Sequence, residues 1–252
     1  MIVNSTSVTS LVGDEIEGGG IHSKWADTVW SGADGNIYGI PSGAHRVLKF
    51  NPIDKSKTLI GPDLGDGSYK YWGGVEDRKG CIYCAPYCSD RILKIDTVNG
   101  TVTLLDVTLP EQGDYLWRGG VLALDGNIYF MPCSARRILK IDPRNDIVCS
   151  VGDDLGDKWY VGAVLGIDGC VYGIPCYSKR IVKYDPESGV TSYVGKESQY
   201  SFRCSGDGAL ARDGHIYAEK GNNGEVLKID TTNNMHSIVG NTVESNHLGD
   251  GW

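Results

Sequence analysis

Three carboxylates stand where the pattern of the chain does not call for them. Asp207 occupies a place held by glycine in related segments, Gly73, Gly119 and Gly162. Glu76 and Asp77 replace the apolar or small pairs Leu122-Ala123 and Leu165-Gly166. Paired carboxyls are the equipment of general acid–base chemistry, above all on glycosidic bonds, where their separation sets the stereochemical course. A lone carboxylate among close strands also has a structural use, accepting hydrogen bonds from backbone amides. Catalytic candidates are therefore Asp207 with Glu76 or Asp77, against amide-binding roles for the same residues.

A second group could hold a ligand without reacting with it. Tyr71, Trp72, Trp117, Arg118 and Tyr160 cluster just ahead of, or at the start of, glycine-rich apolar runs. Trp and Tyr combine an apolar face with a polar handle, and Arg adds a planar fork of donors. Such residues at one mouth of a channel would stack on a sugar or anchor a protein loop. They would serve equally as wedges in a core.

Other chemistries find little support. The five histidines, His22, His45, His215, His236 and His247, form no metal-ligand spacing. No glycine loop leads into a helix to cradle phosphate, and no cofactor is expected. Gly65-Asp66-Gly67 and Gly249-Asp250-Gly251 lack the acidic alternation of a calcium loop. A net charge of −8 argues against nucleic acid, and no apolar run approaches a membrane span. The eight cysteines match no zinc pattern. They read as small buried hydrophobes, with a Cys133–Cys176 bridge as the lesser alternative, and point to a reducing, cytoplasmic setting. A protein or glycan ligand and a monomeric chain are expected.

The elements that must position these residues are repeats. Asp34-Gly35-Asn36-Ile37-Tyr38 returns around Gly80, Gly126, Gly169 and Gly214, with steps of 45, 46, 43 and 45 residues. Each glycine is followed 11 positions later by a further apolar segment, beginning at Arg46, Arg91, Arg137, Arg180 and Glu225. In the third unit, Trp117–Leu124 reads as an inner strand and Asp125-Gly126 as a primed hairpin turn. Asn127–Pro132 and Arg137–Asp142 follow as strands, and Ile147–Val151 as the outer strand. Four strands per unit and no helical periodicity give an all-β fold, a β-propeller. Five blades are expected, with six as the alternative. The repeated Arg is expected to pack its stem on an aromatic and satisfy loop carbonyls, and the repeated Lys (Lys49, Lys94, Lys140, Lys183, Lys228) to send a solvated head outward.

Three segments carry a resemblance: Trp117-Arg118-Gly119-Gly120-Val121, Asp34 to Pro41 and Arg137 to Pro143. They resemble the repeats of the propeller superfamily that holds kelch, NHL and YVTN-type proteins, over nearly the whole chain. The double glycine is similar to kelch, although the later kelch tryptophan is not reproduced in order. The resemblance implies a scaffold that binds proteins, glycans or small ligands more often than it catalyses.

One domain is expected over 1–252, with units near 26–70, 71–115, 116–158, 159–203 and 204–240. Ser7–Gly13 matches the outer strands ending at Gly195 and Gly240. Residues 1–13 are therefore expected to close the ring beside the last blade, and 241–252 to begin a further repeat. The favoured function is non-enzymatic recognition of protein or carbohydrate at one channel mouth. A glycan-active hydrolase or lyase, and a structural piece of a larger repeat protein, remain as alternatives.

Overall fold

The computed structural model describes residues 23–221 and 224–240. These form twenty strands in five antiparallel sheets of four, each built from consecutive strands. The first sheet is β1 (Trp25–Trp30), β2 (Ile37–Pro41), β3 (Val47–Phe50) and β4 (Lys57–Ile60). The second is β5 (Tyr71–Glu76), β6 (Cys81–Pro86), β7 (Leu93–Asp96) and β8 (Thr101–Leu104). The third is β9 (Trp117–Leu122), β10 (Ile128–Pro132), β11 (Ile138–Asp142) and β12 (Ile147–Val151). The fourth is β13 (Tyr160–Leu165), β14 (Val171–Pro175), β15 (Ile181–Tyr184) and β16 (Thr191–Val194). The fifth is β17 (Ala209–Leu210), β18 (Ile216–Lys220), β19 (Glu225–Asp230) and β20 (Met235–Val239).

Five blades is thus the count among the described residues. The fourth place in the last sheet is filled by β20, beyond Asp230, and not by an N-terminal strand. The expected closing strand at 1–13 and the lead-in at 241–252 lie outside the described residues.

Burial peaks at the second strand and is lowest at the outer one. The second strand of each of the first four sheets is almost wholly buried, whereas the outer strands alternate between half-buried and exposed. The sequence follows that gradient: Ile128–Pro132 is uniformly apolar, whereas Thr101–Leu104 alternates. Neighbouring blades share their cores. Val75, Tyr83 and Ile92 of the second pack with Trp117, Phe130 and Leu139 of the third. The first strands lie side by side about the axis, β1 against β5, β5 against β9 and β9 against β13.

The hairpin turn carries a repeated three-residue lock. Tyr38, Tyr129 and Tyr172 each donate from the hydroxyl to the turn aspartate four residues earlier, Asp34, Asp125 and Asp168, at 2.7, 2.7 and 2.9 Å. The repeated lysine comes to the same carboxylate, Lys49 to Asp34 at 3.0 Å and Lys183 to Asp168 at 2.7 Å. Its ammonium also lies over the tyrosine ring, 5.6 Å from the Tyr38 centroid and 5.4 Å from that of Tyr172. The lysine head expected in solvent is therefore paired here. The repeated arginine follows expectation at two sites: Arg180 lies 5.0 Å from the Tyr193 ring centroid, and Arg137 donates to the Gly152 carbonyl.

All eight cysteines are free thiols, so no Cys133–Cys176 bridge forms. Cys84, Cys133, Cys170 and Cys204 are buried, as small hydrophobes would be, while Cys149 is exposed.

Candidate functional site

The site begins with a defect in the ladder. Pairing between first and second strands slips by one residue at the same level in four sheets: between Trp25 and Asp27, Tyr71 and Gly74, Phe130 and Met131 (opposite Gly119), and Tyr160 and Gly162. A β-bulge leaves one residue unpaired and re-aims the side chains around it. The slip turns Asp27, Trp72 and Arg118 towards the axis, where strict alternation would have pointed some of them into the sheets.

There they line a pocket of about 150 Å³ together with Ala26, Gly73, Gly119, Val161, Gly206 and Asp207. All five repeats contribute to it. The volume is room for about five waters, or one small ring. Gly119 in its wall and Gly162 beside it have no room for a side chain. A Cβ on Gly119 would stand 2.6 Å from the Gly162 Cα and 2.8 Å from the Val161 carbonyl oxygen. A Cβ on Gly162 would stand 2.0 Å from Asp207 Oδ1.

The polar groups of this pocket are poorly paired. Arg118 lies over Trp72, its guanidinium carbon 4.6 Å from the ring centroid, and makes no hydrogen bond or ion pair among the described residues. Asp27 accepts from the adjacent Thr28 amide at 2.7 Å. Asp207 accepts no hydrogen bond among the described residues; its surface is exposed to the channel, although protein packs closely around its carboxyl. Burial pushes its carboxyl up to about 6, the charge of Asp27 adding to the rise and Arg118 opposing it. Asp27 is also raised by burial, against the Thr28 amide and Arg118.

A rim of aromatic rings adjoins the pocket. Trp72 stacks with Tyr69 at 6.0 Å between centroids and meets Tyr87 at 5.4 Å, and Tyr115 closes the group at 5.2 Å from Tyr87 and 6.3 Å from Tyr69. Tyr69 and Tyr115 hold φ of 62° and 59°, left-handed values that strain a bulky residue. The backbone imposes this: their carbonyls accept from the Cys88 and Ser134 amides at 3.0 and 2.8 Å, tying the lead-in to the loop after the second strand.

The expected ligand contacts divide. Trp72 and Arg118 line the pocket. Tyr71, Trp117 and Tyr160 are buried wedges: Trp117 donates from its indole to the Arg137 carbonyl at 2.8 Å, and the Tyr71 hydroxyl accepts from Ser89 at 2.9 Å. Tyr160 receives Ser178 Oγ at 3.4 Å. They brace the strands that carry the site and do not face it.

The acidic candidates divide as well. Glu76 is at the opposite end of its strand, where it accepts from Ser31 Oγ at 2.5 Å and the Gly32 amide at 2.9 Å, joining two blades. Asp77 accepts from the Lys79 and Cys81 amides at 2.8 and 2.9 Å. That bonding compensates for Lys79, which stands where other turns carry aspartate. The remaining duty falls to Asp146 of the third blade, which receives Tyr83 at 2.7 Å and Lys94 at 2.9 Å. Neither Glu76 nor Asp77 reaches Asp207. The missed partner is Asp27, and its signal was in the sequence: Trp25-Ala26-Asp27 aligned on Trp117-Arg118-Gly119 puts aspartate at the Asp207 position.

A larger pocket, about 640 Å³, opens between the fourth and fifth blades beside Tyr177, Phe202 and Arg203. Its charged pair, Lys220 and Glu225, is already joined at 2.5 Å.

No known family's sequence pattern matches this chain, and no curated protein does. Solved structures do. A streptogramin B lyase superposes with a TM-score of 0.71 at 18% identity, over 86% of this chain and 68% of that one. A catalytically inactive virginiamycin B lyase from Staphylococcus aureus, solved with quinupristin, gives 0.72 at 15%, over 91% and 74%. A nidogen/laminin complex gives 0.58 at 15%, over 83% and 76%. At such identities the likeness concerns the fold, and with the five sheets described above it establishes this chain as a β-propeller.

Proposed function

We propose that this propeller is a carbohydrate-recognition module that takes a glycan at the channel mouth. The observation that carries the reading is Arg118 laid on Trp72 beside the unbonded carboxylate of Asp207. A sugar ring presents an apolar face to an aromatic and hydroxyls that both donate and accept. Trp72 supplies the first need, Asp27 and Asp207 accept, and Arg118 donates. Tyr69 and Tyr115 extend the stacking surface for a second ring. The polar groups line a small concavity, whereas a protein partner of ordinary affinity needs about 800 Å² of matched surface on each side.

A glycan array followed by titration tests this. Trp72→Ala and Arg118→Ala should each weaken the selected glycan at least about fivefold, as truncated anchors do. Trp30→Ala, an exposed tryptophan at the hairpin end, should not. An array without a single bound glycan, or wild-type binding in both pocket variants, overturns the reading.

One observation favours a second reading. Asp207 beside Asp27, with its carboxyl near 6, has the character of a general acid next to a second carboxylate. A hydrolase or lyase would then use Asp27 with Asp207. The appearance of shortened glycan with the wild-type chain, and its loss in Asp207→Asn, would favour this over simple recognition.

A further inference from the structure

The charge balance of the mouth narrows the class of sugar; this inference rests on the glycan reading. Three charged groups line the pocket: Asp27 from β1, Arg118 from β9 and Asp207 ahead of β17. Two negatives stand against one positive, and the positive one is spread on Trp72 without bonding to either carboxylate. The carboxylates approach the two ends of a glycine arc. Asp27 Oδ2 would stand 3.7 Å from a Cβ at Gly73, and Asp207 Oδ1 2.8 Å from one at Gly119. Gly73 and Gly119 themselves adjoin, the Gly119 Cα 3.2 Å from that same Cβ position at Gly73. The arc carries no side chain, and both carboxylates line the same small pocket.

We propose that the mouth prefers a sugar bearing a free amino group, its ammonium held between Asp27 and Asp207 and its ring on Trp72. An ammonium has three donors and no acceptor, which suits two carboxylates short of donors. A neutral sugar supplies hydroxyl donors but leaves the surplus negative charge uncompensated in a partly desolvated site. An acidic sugar can pair with Arg118 only by facing both carboxylates. A bare cationic chain lacks the ring that Trp72 would cover.

The test titrates the full chain with four short oligomers: a glucosamine oligomer, its N-acetylated counterpart, a neutral glucose oligomer and oligolysine. The glucosamine oligomer should bind at least about tenfold tighter than the N-acetylated one, a difference of about 1.4 kcal/mol. Asp207→Asn and Asp27→Asn should each draw that ratio towards one. Asp54→Asn, a surface carboxylate on an outer hairpin, should leave it unchanged, which separates the pocket from the general pull of a chain with net charge −8. Equal or tighter binding of the N-acetylated or neutral oligomer overturns the amino-sugar inference and leaves the glycan reading standing. Oligolysine bound as tightly, with the same dependence on Asp207, overturns it too, because charge alone would then be recognised. Binding of no oligomer at all overturns the amino-sugar inference, while the array decides the glycan reading.

Discussion

Aspartate lives under opposite conditions at the two ends of this propeller. At the hairpin end, Asp125 and Asp168 are each met by a tyrosine hydroxyl and a backbone amide, and Asp168 also by a lysine ammonium. Burial raises their carboxyls, but those bonds outweigh it and the net shift is downward. At the channel end, Asp27 and Asp207 are raised, because burial outweighs the one amide bond to Asp27 and no donor among the described residues meets Asp207. One set is spent on holding strands together. The other has bonding capacity left over, and leftover capacity in a concave place is what a ligand uses. A carboxylate's sequence neighbours say little about which of the two it is; its donors decide.

The comparison breaks first at the glycine arc, if it is wrong. Gly119→Ala puts a methyl 2.6 Å from one backbone atom and 2.8 Å from another, at a φ of +53°. Close backbone packing cannot yield as a side chain can, so a loss of about 3 kcal/mol or more is expected in a urea melt. In Gly162→Ala the methyl instead meets the Asp207 side chain, at 2.0 Å from Oδ1. Adding Asp207→Gly should restore part of that loss. No recovery would mean that the channel is not shaped around this carboxylate.

The locked aspartates come next. Asp168→Ala leaves the Tyr172 hydroxyl and the Lys183 ammonium without their acceptor, and should cost about 1–3 kcal/mol. In the second blade the same duties are divided, so Asp77→Ala and Asp146→Ala should each cost less than Asp168→Ala, and together about as much. The pH dependence has a definite sign. A carboxyl lowered in the folded state stabilises fully above its unfolded value, near 4, and that stability is lost as pH falls through the folded value. Asp168→Ala should therefore close its gap with the wild type on acidification.

Asp207 should behave in the reverse way. Its raised carboxyl means that ionisation works against folding, a cost present above about pH 6 and absent below the unfolded value near 4. Asp207→Asn should then be more stable than wild type at pH 7.5, by about 1 kcal/mol once solvent in the channel is allowed for, and equal to it near pH 4. A variant destabilised at pH 7.5 would show that Asp207 is locked like its hairpin counterparts.

Much of this was legible in the residues. The turn glycines and the constant spacing to the third strand fixed sheet number and strand order, because each repeat must bury its face on the next. Trp72, Arg118 and Asp207 stood out as departures from the repeat. Glu76 and Asp77 stood out for the same reason and meant something else: Glu76 ties two blades together, and Asp77 with Asp146 supplies the acceptors that Lys79 cannot. The bulges were not legible, since one slipped residue leaves no mark in the pattern of residue types. Alignment puts Asp27 at the Asp207 position, but only the bulge shows that it lines the channel pocket.

The smallest effect bears on the rim. Tyr115 stands at φ 59°, where a bulky side chain is strained and asparagine is tolerated. The residue is 41% exposed, so only part of its apolar area is buried. Tyr115→Asn should thus hold or raise stability, by up to about 0.5–1 kcal/mol, while weakening glycan binding through the lost stacking surface. The opposing directions matter more than their size. A residue kept for packing loses stability when it is removed, and one kept for a ligand loses only affinity. If Tyr115→Asn lowers the melting temperature and leaves binding intact, the rim belongs with the wedges Tyr71 and Trp117, and the unpaired groups of the pocket would have to recognise their ligand without it.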